Sequence, residues 1–402
     1  SACPPTPRVV NMNRLGAALT GEVREPPIRA LYVFCANPVA SAPNASLTVR
    51  GLQRADLFTV VHELFLTDTA RYADLVLPAT SQLEQTDLHK GYGHRSLQYN
   101  APAIAPLGEA KSNWQVMRLL AEALGYAEPW LRQSEEEVIA EVLAATRATN
   151  PLLAGLTLER LQAEGTFALP FPLEREVPFS DGHFPTPSGK LELRCDALAA
   201  HGLDPLPDYV PPAEFAAHPS YQEHGNARTG PFNTAATEVS VVARHAVPAG
   251  LTELSTQHPA ASSVSSAVSS DLMGVGPLIL LSGAAHHFTS SSMANLPSLL
   301  AKEGAPSIEL HPDDAAARGI QQGDEVVVGN ARGACRLRAV LTPSLPPGVA
   351  VVPKGRWPRL NPDGRNINWT TSDTLADLAG QSTFHSNLVT VRRSTTATTE
   401  GP

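Results

Sequence analysis

Residues 60–87 read VVHELFLTDTARYADLVLPATSQLEQTD, and they determine the kind of fold that this chain can form. An apolar run opens the stretch, and a second one over residues 75–77 ends at Pro78, as a buried strand does. Between the two runs, Thr67 or Asp68 can cap a short helical turn by accepting hydrogen bonds from free backbone N–H groups. This order of strand, capped turn and strand predicts the ligand-binding edge of a parallel sheet.

Buried strands alternate with helical segments on both sides of this stretch, as far as residue 207. Such alternation is typical of an α/β layer structure. We therefore predict an α/β domain over residues 1–207, built on a parallel sheet. Strands are expected at residues 30–35, 57–65 and 75–77, helices at residues 113–124 and 134–148, and a turn with a short strand at residues 184–193.

The composition changes after residue 207. Residues 208–276 are rich in proline, alanine, serine, threonine and glycine, and they show no sustained periodicity. Within them, residues 260–270 form a low-complexity stretch that could hardly bury a core. We predict a linker with a poorly ordered insertion.

Short apolar runs separated by glycine and proline turns fill residues 277–393, which predicts a β-rich domain followed by a tail over residues 394–402. Asn330 and Gly333 bound the turn of a predicted hairpin. Strands are expected at residues 277–283, 307–310, 324–328 and 335–340, with a short helix within residues 311–319.

The bulk composition excludes some classes of protein. The chain has 402 residues, 43% of them hydrophobic, which is enough for two or three domains with cores of their own. A net charge of -9 disfavours nucleic acid as a partner. No apolar run approaches the roughly 20 residues that a membrane helix needs, and the first residues lack the features of a secretory signal. We therefore predict a cytoplasmic protein without a membrane span.

The four cysteines are Cys3, Cys35, Cys195 and Cys335. They are too few and too scattered for a disulfide framework or for a cysteine-ligated cluster. We expect ordinary thiols, and no iron–sulfur cluster held by this chain.

Two long strings carry a resemblance to a known family. Residues 60–87 resemble the cofactor-binding part of the molybdopterin oxidoreductase family, which includes dimethyl sulfoxide reductase, formate dehydrogenase and periplasmic nitrate reductase. Residues 308–352, IELHPDDAAARGIQQGDEVVVGNARGACRLRAVLTPSLPPGVAVV, resemble the barrel of the same family. The resemblance implies a Rossmann-like parallel-sheet domain, incomplete at its N-terminus, followed by a six-stranded double-psi β-barrel over residues 277–393.

The family cofactor is a bis-molybdopterin guanine dinucleotide that holds molybdenum or tungsten through the pterin. Its diphosphate, guanine and pterin need backbone N–H groups, carboxylates and amides at the ends of strands. By resemblance, sixteen residues would contact it: Asn37, Pro38, Glu63, Thr67, Asp68 and Thr69 at the sheet edge; Ser282, Gly283, His286, His287 and Phe288 after the first barrel strand; and Asn366, Asn368, Gln381, Ser382 and Phe384 near the end of the barrel.

Each group of candidate residues also has a simpler interpretation. Thr67 and Asp68 can serve only as a helix cap, and the loops at residues 366–370 and 380–385 can be ordinary barrel turns. The adjacent histidines 286 and 287 could suggest a metal site. Neighbouring residues tend to point apart, however, and no nearby cysteine or carboxylate has ligand spacing, so cofactor contact or packing is favoured and no metal ligand is assigned.

Family members typically carry a cysteine-rich iron–sulfur region and a protein ligand to the metal, and neither pattern occurs here. The resemblance therefore implies the C-terminal part of a molybdenum-dependent oxidoreductase that performs two-electron redox chemistry on a small substrate, formate dehydrogenase-like or nitrate reductase-like. Its partner would be a missing N-terminal half or a split subunit with the iron–sulfur cluster. Two alternatives are open: a non-catalytic module that binds or assembles the cofactor, and an inactive fragment with exposed apolar surface.

Overall fold

A computed structural model of the chain describes residues 8–22, 25–170, 177–206, 212, 214–215 and 275–394. Most of the linker predicted over residues 208–276, with its low-complexity stretch, and residues 395–402 of the predicted tail lie outside these ranges. Within them, no helix combines the length and apolar character needed to cross a membrane.

The N-terminal domain is built on a parallel sheet of three strands, β1 (Ala30–Phe34), β2 (Phe58–Glu63) and β3 (Leu75–Pro78), in the order β1-β2-β3. All three predicted strands are therefore present. Because parallel strands end on the same edge, the loops that follow β1 and β2 lie side by side. The helices α1 (Pro38–Ser41) and α2 (Ala45–Leu52) follow β1, and a short 3-10 turn, Ala70–Tyr72, precedes β3.

One face of this sheet is covered, and the other is covered only in part, around the buried His62. Val33, Val61 and Val76 point to the covered face, where they pack with Ala70. The rest of the opposite face is apolar but open, and the prediction that all three strands are buried was wrong in this respect. Its large exposed side chains include Phe34 at 49%, Phe58 at 53% and Leu75 at 46% exposure. Parallel sheets are normally covered on both faces.

A second sheet of three antiparallel strands follows, which the sequence did not lead us to expect. It consists of β4 (Asp87–Lys90), β5 (Ser96–Asn100) and β6 (Thr166–Ala168). The two longer predicted helices are present as α3 (Asn113–Ala123) and α4 (Glu135–Thr149), each begun by a serine capping box. Two shorter helices, α5 (Leu158–Glu164) and α6 (Asp196–Ala200), complete this part.

The strand predicted within residues 184–193 was wrong, since the chain there forms turns and bends without strand pairing. Thr186, Ser188 and Gly189 hold a local turn instead, with the Gly189 N–H donating to the Thr186 carbonyl at 3.0 Å. Short-range hydrogen bonds satisfy the backbone here, so no neighbouring strand is needed.

The C-terminal domain is a closed barrel of six strands in the order β10-β8-β11-β7-β12-β9. The strands are β7 (Leu278–Leu281), β8 (Ser307–Leu310), β9 (Glu325–Asn330), β10 (Gly333–Leu341), β11 (Val349–Val351) and β12 (Asn387–Arg393). Two short helices, α7 (Pro297–Glu303) and α8 (Pro312–Ala316), flank β8.

Two parallel pairs, β7 with β11 and β8 with β10, are embedded among antiparallel neighbours. This pairing is the double-psi arrangement. The barrel interior is filled by inward side chains such as Leu280, Leu310 and Val328. The predicted fold class, a Rossmann-like parallel sheet followed by a six-stranded double-psi barrel, is confirmed.

The two domains share a hydrophobic core. Trp369 of the barrel domain packs with Leu19, Val39 and Leu52 of the N-terminal domain. A second shared cluster joins Ala40, which lies in α1, to barrel residues Ala285, Phe288 and Trp357. The boundary between the domains is therefore packed like a domain interior, and burying this surface stabilises the contact.

The three described cysteines should react with thiol reagents at different rates. Cys335 is fully buried in the barrel, and burial raises the pKa of its thiol, whereas Cys35 and Cys195 are exposed. The thiolate is the reactive form. We expect a disulfide reagent to modify Cys35 and Cys195 in the native protein and Cys335 only after denaturant is added, as mapped by peptide mass spectrometry. Equal native labelling of Cys335 would contradict the barrel packing.

Candidate functional site

The loops after β1 and β2 meet one end of the barrel, and we call this meeting region the seam. On the sheet side it comprises residues 35–41 and 63–70. On the barrel side it comprises residues 282–290, 352–360, 366–372 and 380–386. An aromatic contact crosses it, because the rings of Phe65 and Trp357 lie 6.5 Å apart in an edge-on arrangement. The seam gathers loops from both domains, as ligand sites between domains often do.

Three of the residues predicted at the sheet edge form a buried network with one another. The side-chain oxygen of Asn37 accepts hydrogen bonds from the backbone N–H of Thr69 at 3.2 Å and from its hydroxyl at 2.8 Å. The Thr69 hydroxyl in turn accepts the backbone N–H of Val39 at 3.1 Å. The Asn37 amide lies 3.4 Å from a carboxylate oxygen of Asp68. These contacts lock the loop after β1 to the loop after β2.

Asp68 also reaches across the seam. One of its carboxylate oxygens accepts the backbone N–H of Arg359 at 2.8 Å, and Asp68 is buried. It does not cap the 3-10 turn, whose Ala70 N–H donates to the Thr67 hydroxyl at 3.2 Å. The helix-cap interpretation therefore holds for Thr67, and Asp68 connects the two domains.

Two predicted amides on the barrel side serve the same connection. The side-chain amides of Asn366 and Asn368 both donate to the carbonyl of Ala40, at 3.0 and 2.8 Å. Both residues are buried, and Asn366 also donates to the Arg356 carbonyl at 2.9 Å. Buried amides are stable only when they are hydrogen-bonded, so the pair holds α1 in place against the barrel. The interpretation of these residues as an ordinary barrel turn does not account for their hydrogen bonds to Ala40.

A second group of predicted residues lies on the barrel side, where three loops converge. β7 and β11 run in parallel, so the loops after them leave the same end of the barrel, and the loop before β12 joins them there. The backbone N–H of Ser282 donates to Nδ1 of His385 at 3.2 Å. The carbonyl of Gly283 accepts the backbone N–H of Lys354 at 2.8 Å. The ammonium of Lys354 lies 4.1 Å above the ring of Phe384.

Several buried polar atoms at the sheet edge and in the barrel loops have no hydrogen-bond partner among the described residues. They include Oγ of Ser282, which is 0% exposed, Nδ1 of His62 at the end of β2, and the side-chain oxygen of Asn368. Nε2 of His62 contacts the Lys111 carbonyl at 3.1 Å and therefore carries the hydrogen, which leaves Nδ1 as a bare acceptor. Buried polar atoms without partners are costly. Their residue types fit a ligand with both donor and acceptor groups.

The adjacent histidines, His286 and His287, make different contacts. Nδ1 of His287 lies 2.9 Å from a carboxylate oxygen of Glu303 in α7, and the backbone N–H of His287 donates to the same oxygen at 3.1 Å. His286 is exposed, and its ring packs edge-on to that of His287 at 4.8 Å. In the part of the chain that the structure describes, no three histidines, cysteines and carboxylates are grouped as a metal site would require.

The remaining predicted residues lie at the rim of the seam. Glu63 is half-buried, and one carboxylate oxygen accepts the Leu64 N–H at 2.7 Å. Ser282 contacts His385, and the ring of Phe384 contacts Lys354. Gln381 is exposed, and Ser382 is half-buried in a turn beside Leu375. Pro38 begins α1 at its first position. The predicted residues thus divide between a buried connecting network and a set around the converging barrel loops.

Sequence reasoning missed three site residues: His62, Lys354 and His385. His62 stands within the quoted stretch, beside Glu63 at the end of an apolar strand. Lys354 and His385 lie in loops without a recognisable motif, and the pairing of β7 with β11 and with β12 brings them to the loop that holds Ser282. For His62, a titratable residue near the end of an apolar strand was the signal that the sequence contained.

Comparison with known proteins agrees with this geometry. The family model "Molybdopterin oxidoreductase" matches residues 10–123, and the model "Molydopterin dinucleotide binding domain" matches residues 278–388. The probable oxidoreductase YoaE of Bacillus subtilis is 34% identical over 96% of this chain and 47% of its own length. The assimilatory nitrate reductase catalytic subunit of the same organism is 24% identical over 90% of this chain and 40% of its own length.

Among solved structures, acetylene hydratase from Pelobacter acetylenicus superposes with a TM-score of 0.66 at 22% identity. The match covers 96% of this chain and 47% of that one. It establishes the shared fold. The chain spans about half the length of the curated relatives it matches.

Replacing Asp68 should weaken the seam. In Asp68→Ala, the Arg359 N–H and the Asn37 amide lose their acceptor inside the protein, so we expect the free energy of unfolding to fall by about 1–3 kcal/mol. Urea denaturation measures the change. The matched control is Asp196→Ala, whose carboxylate is 81% exposed and pairs with Arg194 on the surface, and it should cost less than about 1 kcal/mol. Equal stability of both variants would contradict the connecting role of Asp68.

Glu303 should make stability depend on pH. Burial acts to raise the pKa of Glu303, but hydrogen bonds from the His287 ring and backbone outweigh it, and the pKa lies below its ordinary value of 4.5. A carboxyl group with a lowered pKa stabilises the fold above its unfolded-state pKa and loses that effect as pH falls through the folded-state value. The difference in unfolding free energy between wild type and Glu303→Gln should therefore shrink as pH falls from neutral to below 4.5. A difference that stays constant with pH would contradict this contact.

Proposed function

The chain belongs to the molybdopterin oxidoreductase family, and from that premise we propose that its seam binds a molybdopterin guanine dinucleotide. The observation that supports this most directly is the buried hydroxyl of Ser282, which has no hydrogen-bond partner among the described residues and lies where three barrel loops converge. Family membership supplies the ligand class, since members bind a molybdenum or tungsten pterin.

The predicted residues would share this task in two ways. The polar groups of Glu63, Ser282 and Gly283 lie at the seam. Phe384 presents the face of its ring in the same region. We propose that they contact the cofactor, together with His286, His287, Phe288, Gln381 and Ser382. We propose that Asn37, Pro38, Thr67, Asp68, Thr69, Asn366 and Asn368 mainly shape the site, because their side chains are engaged in holding the loops in place.

The bound cofactor supplies two-electron redox chemistry at its metal, as cofactors generally carry the difficult chemistry of an enzyme. The chain's own residues would bind the cofactor, orient it between the domains and keep water away. Phe288 and Trp357 pack with Ala40 in a buried cluster beside the seam, so that side of the site is apolar and closed.

We propose that the rest of the site comes from residues outside this chain's span, either a preceding half or a separate subunit that carries an iron–sulfur cluster. Two observations support this. The matched relatives are about twice as long, and one face of the parallel sheet is apolar and partly open, with Phe34, Phe58 and Leu75 exposed. An apolar face of this kind is typical of an interaction surface. A second pterin dinucleotide would complete the bis form of the cofactor.

The substrate of the complete protein would be small, with a formate dehydrogenase-like or nitrate reductase-like reaction. The assimilatory nitrate reductase and the F420-dependent formate dehydrogenases among the relatives support both of these reactions. A non-catalytic binding or assembly module would use the same seam, and it would hold the dinucleotide without turnover when the missing half is supplied.

The proposal is tested by measuring the cofactor on the chain after purification from a host that makes molybdenum cofactor. Mass spectrometry of the oxidised pterin gives the amount of guanine dinucleotide per chain. We expect wild type to carry it, and Ser282→Ala to retain about tenfold less, as loss of one buried hydrogen bond of about 1.4 kcal/mol implies. Ser344→Ala removes an exposed hydroxyl from the same domain and should retain the wild-type amount. A folded wild-type chain without dinucleotide would contradict the proposal.

A further inference from the structure

Lys354 is a half-buried cation of the seam whose backbone and side chain are both held in place. It follows β11 by three residues, and its backbone pairs with the loop after β7 through the bridge between Ala284 and Lys354. That bridge fixes the lysine at the barrel end where Ser282 and His385 meet. Its side chain extends over the ring of Phe384, with 4.1 Å between the ammonium and the ring centroid. The position of the charge is therefore set by strand pairing and by an aromatic support.

Lys354 has no carboxylate partner among the described residues. Two half-buried arginines outside the seam are paired, since Arg14 contacts Asp373 at 3.1 Å and Arg332 contacts Glu214 at 2.6 Å. Within the seam, the half-buried Arg356 donates to the Gly304 carbonyl and has no ion pair among the described residues. A cation over the face of a phenylalanine gains some stabilisation, but the ring leaves the charge uncompensated. The ammonium of Lys354 keeps three donors available to a ligand.

The surroundings of Lys354 also penalise an isolated charge. Burial lowers the pKa of the Lys354 ammonium from its ordinary value of 10.5. An anion placed beside a partly desolvated cation reverses that penalty, because opposite charges attract more strongly where water is excluded. The local environment therefore favours a negatively charged ligand group beside the ammonium.

Two further donors stand in the same group of loops. The hydroxyl of Ser282 is fully buried and unpartnered among the residues described. Nδ1 of His385 accepts the Ser282 N–H, so in the neutral ring the hydrogen sits on Nε2, where it can be donated. A hydroxyl, an imidazole N–H and an ammonium are the donors that a phosphate group takes.

We infer that Lys354 provides the charge contact for a phosphate group of the bound dinucleotide, supported by Ser282 and His385. This inference rests on the proposed function, because it assumes that the dinucleotide lies in the seam. It adds a specific prediction, namely that the lysine makes cofactor affinity depend on ionic strength. Phe384 would act as a positioning residue that holds the ammonium in place.

The test uses the full chain loaded with dinucleotide in a cofactor-competent host. Retained dinucleotide is measured by mass spectrometry after dialysis at salt concentrations from about 0.05 M to about 0.5 M, a range over which screening of charges increases strongly. We expect Lys354→Met to retain about tenfold less dinucleotide than wild type at low salt and to show a flatter dependence on salt. Lys354→Arg keeps the charge and should retain most of it.

The control variant is Lys90→Met, which removes the same charge from the exposed end of β4 in the antiparallel sheet. It should match wild type at every salt concentration. If wild type and Lys90→Met hold dinucleotide and Lys354→Met holds the same amount with the same salt dependence, the inference is overturned while the proposed function stands. If wild type itself holds none, the proposed function fails, and the inference fails with it.

A second measurement needs no variant and therefore does not depend on a variant's folding. Acetic anhydride labels exposed amines, and peptide mass spectrometry reports the labelling of each lysine. The dinucleotide-loaded chain should label Lys354 several-fold less than the dinucleotide-free chain, whereas Lys90 should label equally in both. Equal labelling of Lys354 in the two forms would overturn the inference.

Discussion

The contact between the two domains includes one shared acceptor, the backbone carbonyl of Ala40. Two buried amides of the barrel domain, from Asn366 and Asn368, donate to this one oxygen. Because buried amides are costly when unpaired, neither domain can move away without leaving these groups unsatisfied. Ala40 also packs with Phe288 and Trp357, so the polar contact is enclosed by apolar side chains that exclude water.

The position of the candidate site follows from this constraint. Fixing α1 against the barrel brings the carboxyl edge of the parallel sheet to the barrel end where β7 and β11 terminate together. Asp68 adds a second connection through the backbone of Arg359. The converging loops can then present Ser282 and Lys354 on a rigid support, which is the arrangement that favours binding over reorganisation.

Much of the fold could be predicted from the sequence, because hydrophobic periodicity and turn-forming residues are local signals. The strand within residues 75–77 and the helices within residues 113–124 and 134–148 depend mainly on neighbouring residues, and the structure contains all of them. The antiparallel sheet was missed because β4 and β6 are short, and because β6 pairs with β5 across many intervening residues. The open face of the parallel sheet could not be predicted either, since an apolar strand does not reveal what covers it.

The sequence could predict which loops approach one another, and it could predict the contacts of their side chains less well. Resemblance led to Asn37, Asp68 and Asn368 as cofactor contacts. The structure engages Asp68 and Asn368 in connecting the domains, and Asn37 in locking the loop after β1 to the loop after β2. Lys354 and His385 belong to no recognisable sequence motif. The pairing of distant strands shows that both contact the loop after β7. Hydrogen–deuterium exchange on the chain with and without bound molybdopterin guanine dinucleotide tests the central claim most directly. Slowed exchange in residues 62–69, 282–288 and 380–386, with α4 unchanged, is the predicted result, and slowed exchange confined to other parts of the chain would contradict a cofactor site at the seam.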